Sequence, residues 1–253
     1  MKRLNVAIIG CGVIGNALIS WLNKYSKDIN ILKLDPKKNY NDNIENADAV
    51  FISIHIPTEN DGTQNLELLE QIIKTCPNVP IFIRTTLLPG TCDKLSRELN
   101  KKIYFMPEFL TERTANEDFE TQSMIFTGEI ELLKKIFIGK KYIQMSNIEA
   151  EITKYSHNVF GALKVTYFNG IYEYCKKNNA NFDSVRQGIL MSGYINETHT
   201  NVPGPDGKFG YGGKCFPKDV KAFINILDNN KLQEIITIMD KNNNYYREHL
   251  MKD

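Results

Sequence analysis

Near the amino terminus an apolar run, Asn5 to Ile9, opens directly onto Gly10, Gly12 and Gly15, and an amphipathic stretch follows. Few features restrict a fold as much. A G-x-G-x-x-G between a strand and a helix is the first turn of a βαβ unit, with the helix N-terminus facing the pyrophosphate of a dinucleotide. Gly10 permits the tight turn, Gly12 lets the backbone approach the phosphates, and Gly15 lets helix and strand pack closely, while Val13 and Ile14 complete the turn and open the helix. The second apolar run ends in Asp35, twenty residues past Gly15. A carboxylate there binds both hydroxyls of the adenosine ribose and repels a 2′-phosphate. The cofactor expected is therefore NAD rather than NADP, with Lys37 and Lys38 as the signal against it.

The remaining β-rich runs are Ile29 to Leu34, Ala49 to Ile54, Ile81 to Thr85, Ile103 to Phe105 and Met124 to Thr127, separated mostly by amphipathic stretches. This alternation predicts an α/β fold with a doubly wound parallel sheet. Pro36 to Asp48 is too short and too polar for a full helical crossover, so a loop or a stub of helix is expected there. Past residue 146 the strand signal stops. Ser146 to Glu149 (SNIE) reads as a capping box opening a long helix to about Cys175, with Ile152, Tyr155, Val159, Leu163, Phe168 and Tyr172 on apolar positions. A shorter helix near Phe182 to Met191, a loop from Ser192 to Lys214 and helices from Pro217 onward complete the pattern. The expected domains are 1–146, a nucleotide-binding domain, and 147–253, a small all-helical domain with a long central helix.

Basic and acidic residues nearly cancel, at formal net charge +1. No field favours nucleic acid or an anionic membrane, so neither is expected as a partner. The five cysteines form no CxxC pair and no zinc spacing. The reading is a reduced, cytoplasmic protein without a metal or a membrane span.

Chemistry concentrates in GKFGYGGKCFPKDVKAF, Gly207 to Phe223. A glycine loop delivers Cys215 to a predicted helix start, with Pro217 suited to the first helical position. The helix dipole, Lys214 and Lys218 all favour a thiolate at Cys215. Asp219, four residues on, is placed to orient a water or take a proton. Lys154 and Asn158, spaced i, i+4, share a helix face and can hold one oxygen between an ammonium and an amide. His157 lies about 100° around the helix from Asn158 and is left out of the site. Pro57 and Thr58 (IHIPTENDG), Thr86 (RTTLLPGT) and Glu108 (MPEFLTE) follow strand ends, the edge where open α/β sheets bind ligands. His55 reads as a strand-end packing residue. His199, Lys208 and Lys214 are loop cations that reach phosphates or stay solvated.

Together GCGVIG, RTTLLPGT, PEFLTERTA, AEITKYSHNVFGALKVTYFNGIYEYC and VPGPDGKFGYGGKCFPKDV resemble the UDP-glucose/GDP-mannose dehydrogenase family, from about residue 3 to about residue 225. The resemblance implies a Rossmann domain, then a helical domain whose long central helix makes a homodimer. It also implies oxidation of the C6 alcohol of a nucleotide sugar to a carboxylate with two NAD molecules. By position it places the nucleophile on Cys215, its aspartate on Asp219, a lysine and asparagine on Lys154 and Asn158, and water-holding groups on Thr86 and Glu108. Phe109, Leu110, Glu112 and the loop Phe209, Gly210, Tyr211 and Gly212 fall at the sugar. The proton acceptor is Asp219 or a water held by Thr86 and Glu108.

Three departures stand out. The sequence stops at Asp253, where the family continues into a second, UDP-holding domain; the crossover after Asp35 is short; and Tyr194 precedes Ile195 where the family commonly carries an arginine. A plain two-electron sugar or hydroxyacid dehydrogenase, and a non-catalytic NAD- or sugar-binding subunit of a larger complex, remain alternative expectations.

Overall fold

The computed structural model describes residues 3–59 and 62–249. The chain divides into two compact units: Met1–Pro57 with Gln64–Lys154, and Thr58–Thr63 with Tyr155–Asp253.

The first unit is built on six strands, β1 (Leu4–Ile9), β2 (Ile29–Asp35), β3 (Tyr40–Asn41), β4 (Ala49–Ile52), β5 (Ile81–Ile83) and β6 (Ile103–Phe105), in the order β3-β2-β1-β4-β5-β6. All pair in parallel except β3, which runs antiparallel to β2 at the edge. Side chains alternate across a strand, so odd and even positions face different cores. Ala7, Ile9, Val50, Ile52, Ile81 and Ile83 join Leu69 and Ile73 of α2 (Glu67–Thr75) and Cys92 and Leu95 of α3 (Thr91–Leu99). Val6, Ile8, Phe51 and Phe82 join Leu18, Trp21 and Leu22 of α1 (Val13–Tyr25), Phe119 of α4 (Ala115–Thr121) and Leu133 and Ile136 of α5 (Ile130–Ile136). Covered on both faces, β1, β4 and β5 read as continuous apolar runs, which is why they were legible. Each fully buried Val, Ile, Leu or Phe favours folding by about 1.5–3 kcal/mol.

The crossover after Asp35 holds the expected helical stub, a 3₁₀ turn at Pro36–Lys38, followed by a strand that was not expected. Asn39 takes a left-handed conformation (φ 59°), which reverses the chain and pairs Tyr40 with Asp35. A second correction concerns Met124 to Thr127. Met124–Phe126 (β7) is a strand, but it pairs in parallel with β8 (Tyr142–Gln144) in a separate two-stranded sheet. β8 is exposed at all three positions, so no burial pattern marks it.

The capping box forms as written: Ser146 N–H donates to Glu149 Oε2 at 2.7 Å, and α6 runs from Asn147 to Lys177. One turn in, Glu151 caps another helix. Gly90 precedes α3 and has no side chain to offer, and the Glu151 carboxylate accepts the Gly90 and Cys92 N–H groups at 2.6 and 2.9 Å. Burial outweighs these bonds and raises its carboxyl above the usual range. The second unit comprises the rest of α6 with α7 (Phe182–Leu190), α8 (Phe216–Ile226) and α9 (Lys231–His249).

Candidate active site

In the first unit the glycine turn has the shape a dinucleotide needs. Gly10 has φ +85°, and a Cβ there would lie 2.5 Å from the Ser53 carbonyl oxygen; a Cβ on Gly15 would lie 2.0 Å from that of Gly10. Gly12 has open space instead, with nothing within 4 Å of its missing Cβ. Asp35 Oδ2 accepts the Cys11 N–H at 2.9 Å, which ties the end of β2 to the turn. Lys38, folded back by the short crossover, donates to the Cys11 carbonyl. Burial, and then Asp35, push the Cys11 thiol up. Val13, Asn16, Glu112, Arg113 and Thr114 line a cleft of about 290 Å³ at the start of α1. A backbone approach open at Gly12, a helix N-terminus and a carboxylate at the ribose position fit NAD. Ile14 is partly buried, and Pro57 is exposed beyond β4. His55 is exposed as well, so it does not pack at the strand end as expected.

Thr86 and Glu108 lie on segments following β5 and β6. Gln64, which the sequence did not single out, donates to the Thr86 carbonyl at 3.0 Å and accepts the Leu88 N–H at 3.0 Å, so one amide holds the turn at two points. Glu108 Oε1 pairs with Lys154 Nζ at 3.1 Å and Oε2 accepts the Leu110 N–H at 2.7 Å. Lys154 also donates to the Glu108 carbonyl and lies 5.3 Å over the Phe109 ring. Both members of this ion pair are nearly buried. Removing one partner of a buried pair strands a charge at a cost of about 3–5 kcal/mol.

In the second unit Cys215 is the N-cap residue of α8, and of the five cysteines it alone is exposed. Helix α8 begins at Phe216, so Pro217 takes the second helical position rather than the first, where it still forfeits no intrahelical bond. Asp219 is 1% exposed. Its N–H donates to the Cys215 carbonyl at 3.0 Å, and its carboxylate accepts from Asn158 Nδ2 at 2.6 Å and from Lys218 Nζ at 2.5 Å. The amide of Asn158 is thereby fixed. His157 Nδ1 lies 3.1 Å from Asn158 Oδ1, so the histidine set aside on helical angle touches the site after all. The Phe216 ring occupies space that only Gly161 leaves free, since a Cβ there would lie 2.7 Å from its Cζ.

The glycine loop before Cys215 is anchored from long range. Gly210 N–H donates to Asn169 Oδ1 at 2.9 Å, Tyr211 N–H to Asn243 Oδ1 at 2.6 Å, and the Tyr211 hydroxyl to Asp240 Oδ1 at 2.5 Å. Tyr211 is thus a buried anchor, its phenol raised by that burial. Phe209 packs 5.3 Å from Tyr172, and Gly212 leaves the room that Arg247 fills. Asn169, Asp240 and Asn243 carry no sequence signal, because each acts on a residue more than 25 positions away. Thr58 is partly buried, Lys208 and Lys214 are exposed, and Tyr194 is 90% exposed. His199 lies 5.1 Å from the Phe216 ring, and desolvation, then Lys164 and His157, hold its imidazole below the ordinary value.

Residues 23–142 match the NAD binding domain of the UDP-glucose/GDP-mannose dehydrogenase family, and residues 148–245 match its central domain. Among curated relatives, the UDP-glucose 6-dehydrogenase of Rickettsia conorii is 32% identical over 76% of this chain and 48% of its own. That of Campylobacter jejuni is 31% identical over 77% and 52%. The chain therefore spans about half the length of the curated relatives it matches. A UDP-glucose dehydrogenase structure from Pyrobaculum islandicum superposes with a TM-score of 0.79 at 21% identity, over 96% of this chain and 68% of that one. A GDP-mannose dehydrogenase ternary complex from Pseudomonas aeruginosa gives 0.63 at 20% identity, over 97% and 69%. These two structures share the fold, Rossmann-type in its first half. With a glycine turn shaped for NAD, the family's NAD binding domain matched over residues 23–142 and its central domain over 148–245, the chain belongs to the UDP-glucose/GDP-mannose dehydrogenase family.

Proposed function

We propose that this chain oxidises the C6 alcohol of a nucleotide sugar to the carboxylate, with Cys215 as covalent nucleophile. The observation that carries the reading is the exposed Cys215 at the N-terminus of α8, one helical turn before a buried Asp219 that fixes Asn158. Bound NAD supplies the hydride acceptor for each of the two oxidations. Asp219, or Glu108 through a water that it holds with Thr86, takes the alcohol proton; each carboxylate already accepts from two donors, and Asp219 also positions Asn158. The Cys215 thiolate attacks the aldehyde carbon, and Lys154 and Asn158 stabilise the resulting oxyanion. After the second oxidation, water cleaves the thioester and returns the thiolate. The segment Phe109, Leu110 and Glu112 and the loop Phe209 to Gly212 hold the sugar. With the Tyr211 phenol buried, the loop contributes backbone there. Val13, Ile14, Asp35, Pro57 and Thr58 serve the cofactor. We further propose a homodimer through α6.

The test is to incubate the purified chain with NAD and UDP-, GDP- and ADP-linked hexoses, and to count NADH formed per sugar consumed. Two NADH per sugar, with acid release abolished in Cys215→Ser, is the expected result. One NADH identifies a plain alcohol dehydrogenase, and cofactor binding without reduction identifies a binding subunit. Either outcome, or undiminished acid release from Cys215→Ser, overturns the scheme.

A further inference from the structure

Arg84 follows β5 in the first unit and is 2% exposed, yet its Nε and Nη1 have no hydrogen-bond partner. Burial holds the guanidinium below its usual value, at about 10, so it is charged at neutral pH. A buried charge whose N–H groups lack partners is costly. The Phe119 ring, 5.0 Å from Cζ, offsets only part of that cost. Glu108 attracts Arg84 from a distance, but its carboxylate is committed to Lys154 and the Leu110 N–H. Lys140 adds positive charge nearby. Its ammonium is met by the carbonyls of Phe119, Glu120 and Gln122, whereas the Glu120 carboxylate is paired with Lys24. Positive charge therefore exceeds negative around Arg84.

Arg84 lines a cavity of about 20 Å³ with Glu108, Phe109, Phe119 and the solvent-exposed Ser123. That is room for a water-sized or halide-sized particle. A water would satisfy an N–H but leave the charge surplus in place. We propose that this cavity binds a single monovalent inorganic anion of halide size, held by the Arg84 guanidinium beneath the segment 107–110 that carries Glu108. The anion would lie beside Glu108, Phe109 and Leu110, and its binding does not depend on the reaction proposed above.

The test uses the full chain and bromide. Crystals grown in sodium bromide should give an anomalous peak beside the Arg84 guanidinium. In solution, chloride or bromide should raise the melting temperature above that in gluconate at equal ionic strength. Arg84→Met should lose that difference. If Arg84→Met does not fold, the wild-type peak and the wild-type halide response together carry the test. A water without anomalous signal at that position, or a peak in crystals without any halide response in solution, overturns the proposal. A halide response that survives in a folded Arg84→Met also overturns it.

Discussion

Asp219 shows how much one buried carboxylate can decide. Its two hydrogen-bond donors, Asn158 and Lys218, leave it little freedom, and its main effect is to fix the Asn158 amide. If Asn158 donates to a developing oxyanion, replacing it by Ala lowers kcat by about 10²–10³-fold. Asp219→Ala should then cost nearly as much, because a released amide no longer points at the reacting oxygen. Adding Asn158→Ala to Asp219→Ala should cost little more, the signature of two residues acting as one. Fully additive losses in that cycle would mean Asp219 acts on substrate itself, as a base. Asp35 permits a cleaner separation, since the Oδ2 that accepts the Cys11 N–H can be replaced by an amide oxygen. Asp35→Asn should keep the turn folded while lowering the preference for NAD over NADP by about tenfold or more, the equivalent of roughly 1.4 kcal/mol. An unchanged ratio of the two dissociation constants would place the ribose elsewhere.

At the scale of elements, the contact between α6 and α8 sets where Cys215 stands. Gly161 lets the Phe216 ring, next in sequence to Cys215, lie against α6. An alanine inside a helix gains about 1 kcal/mol over glycine. Here its methyl must displace a ring, and overpacking costs about 1–3 kcal/mol. Gly161→Ala should therefore come out neutral to about 2 kcal/mol less stable in urea, with an altered rate of Cys215 alkylation by iodoacetamide. A variant that is more stable than wild type and reacts at the wild-type rate would show that Phe216 does not need the space. What the sequence disclosed follows the same logic of local against distant causes. The doubly covered strands, the SNIE cap and the position of Cys215 at a helix start are written in neighbouring residues. The strand β3 depends on the backbone of Asn39, β8 has no buried position, and the anchors Gln64, Asn169 and Asn243 reach partners 22 to 41 residues away. His157 was set aside by ideal helical angle, yet its ring leans to its neighbour's amide.

For the molecule as a whole, α6 poses the problem of an apolar face that its own unit leaves uncovered. Phe160, Leu163, Tyr167 and Tyr174 are all exposed, Phe160 and Tyr174 at 67%. At 100° per residue these four positions fall within about 60° of arc, a single stripe with a and d spacing. A stripe of that kind is more than the scattered apolar side chains ordinary on a monomer surface. In the homodimer proposed above, a second copy of the same helix would cover it symmetrically, and a standard interface needs about 800 Å² from each partner. The chain should sediment as a dimer at micromolar concentration. Phe160→Glu with Tyr167→Glu should convert it to a monomer, because the two-fold arrangement brings like charges into a desolvated seam. Both positions are exposed and glutamate is a good helix former, so the variant's unfolding midpoint should move little by comparison with a core substitution. That separates lost association from lost folding. A wild-type chain that sediments as a monomer, or a doubly charged variant that remains dimeric, would remove α6 from the interface.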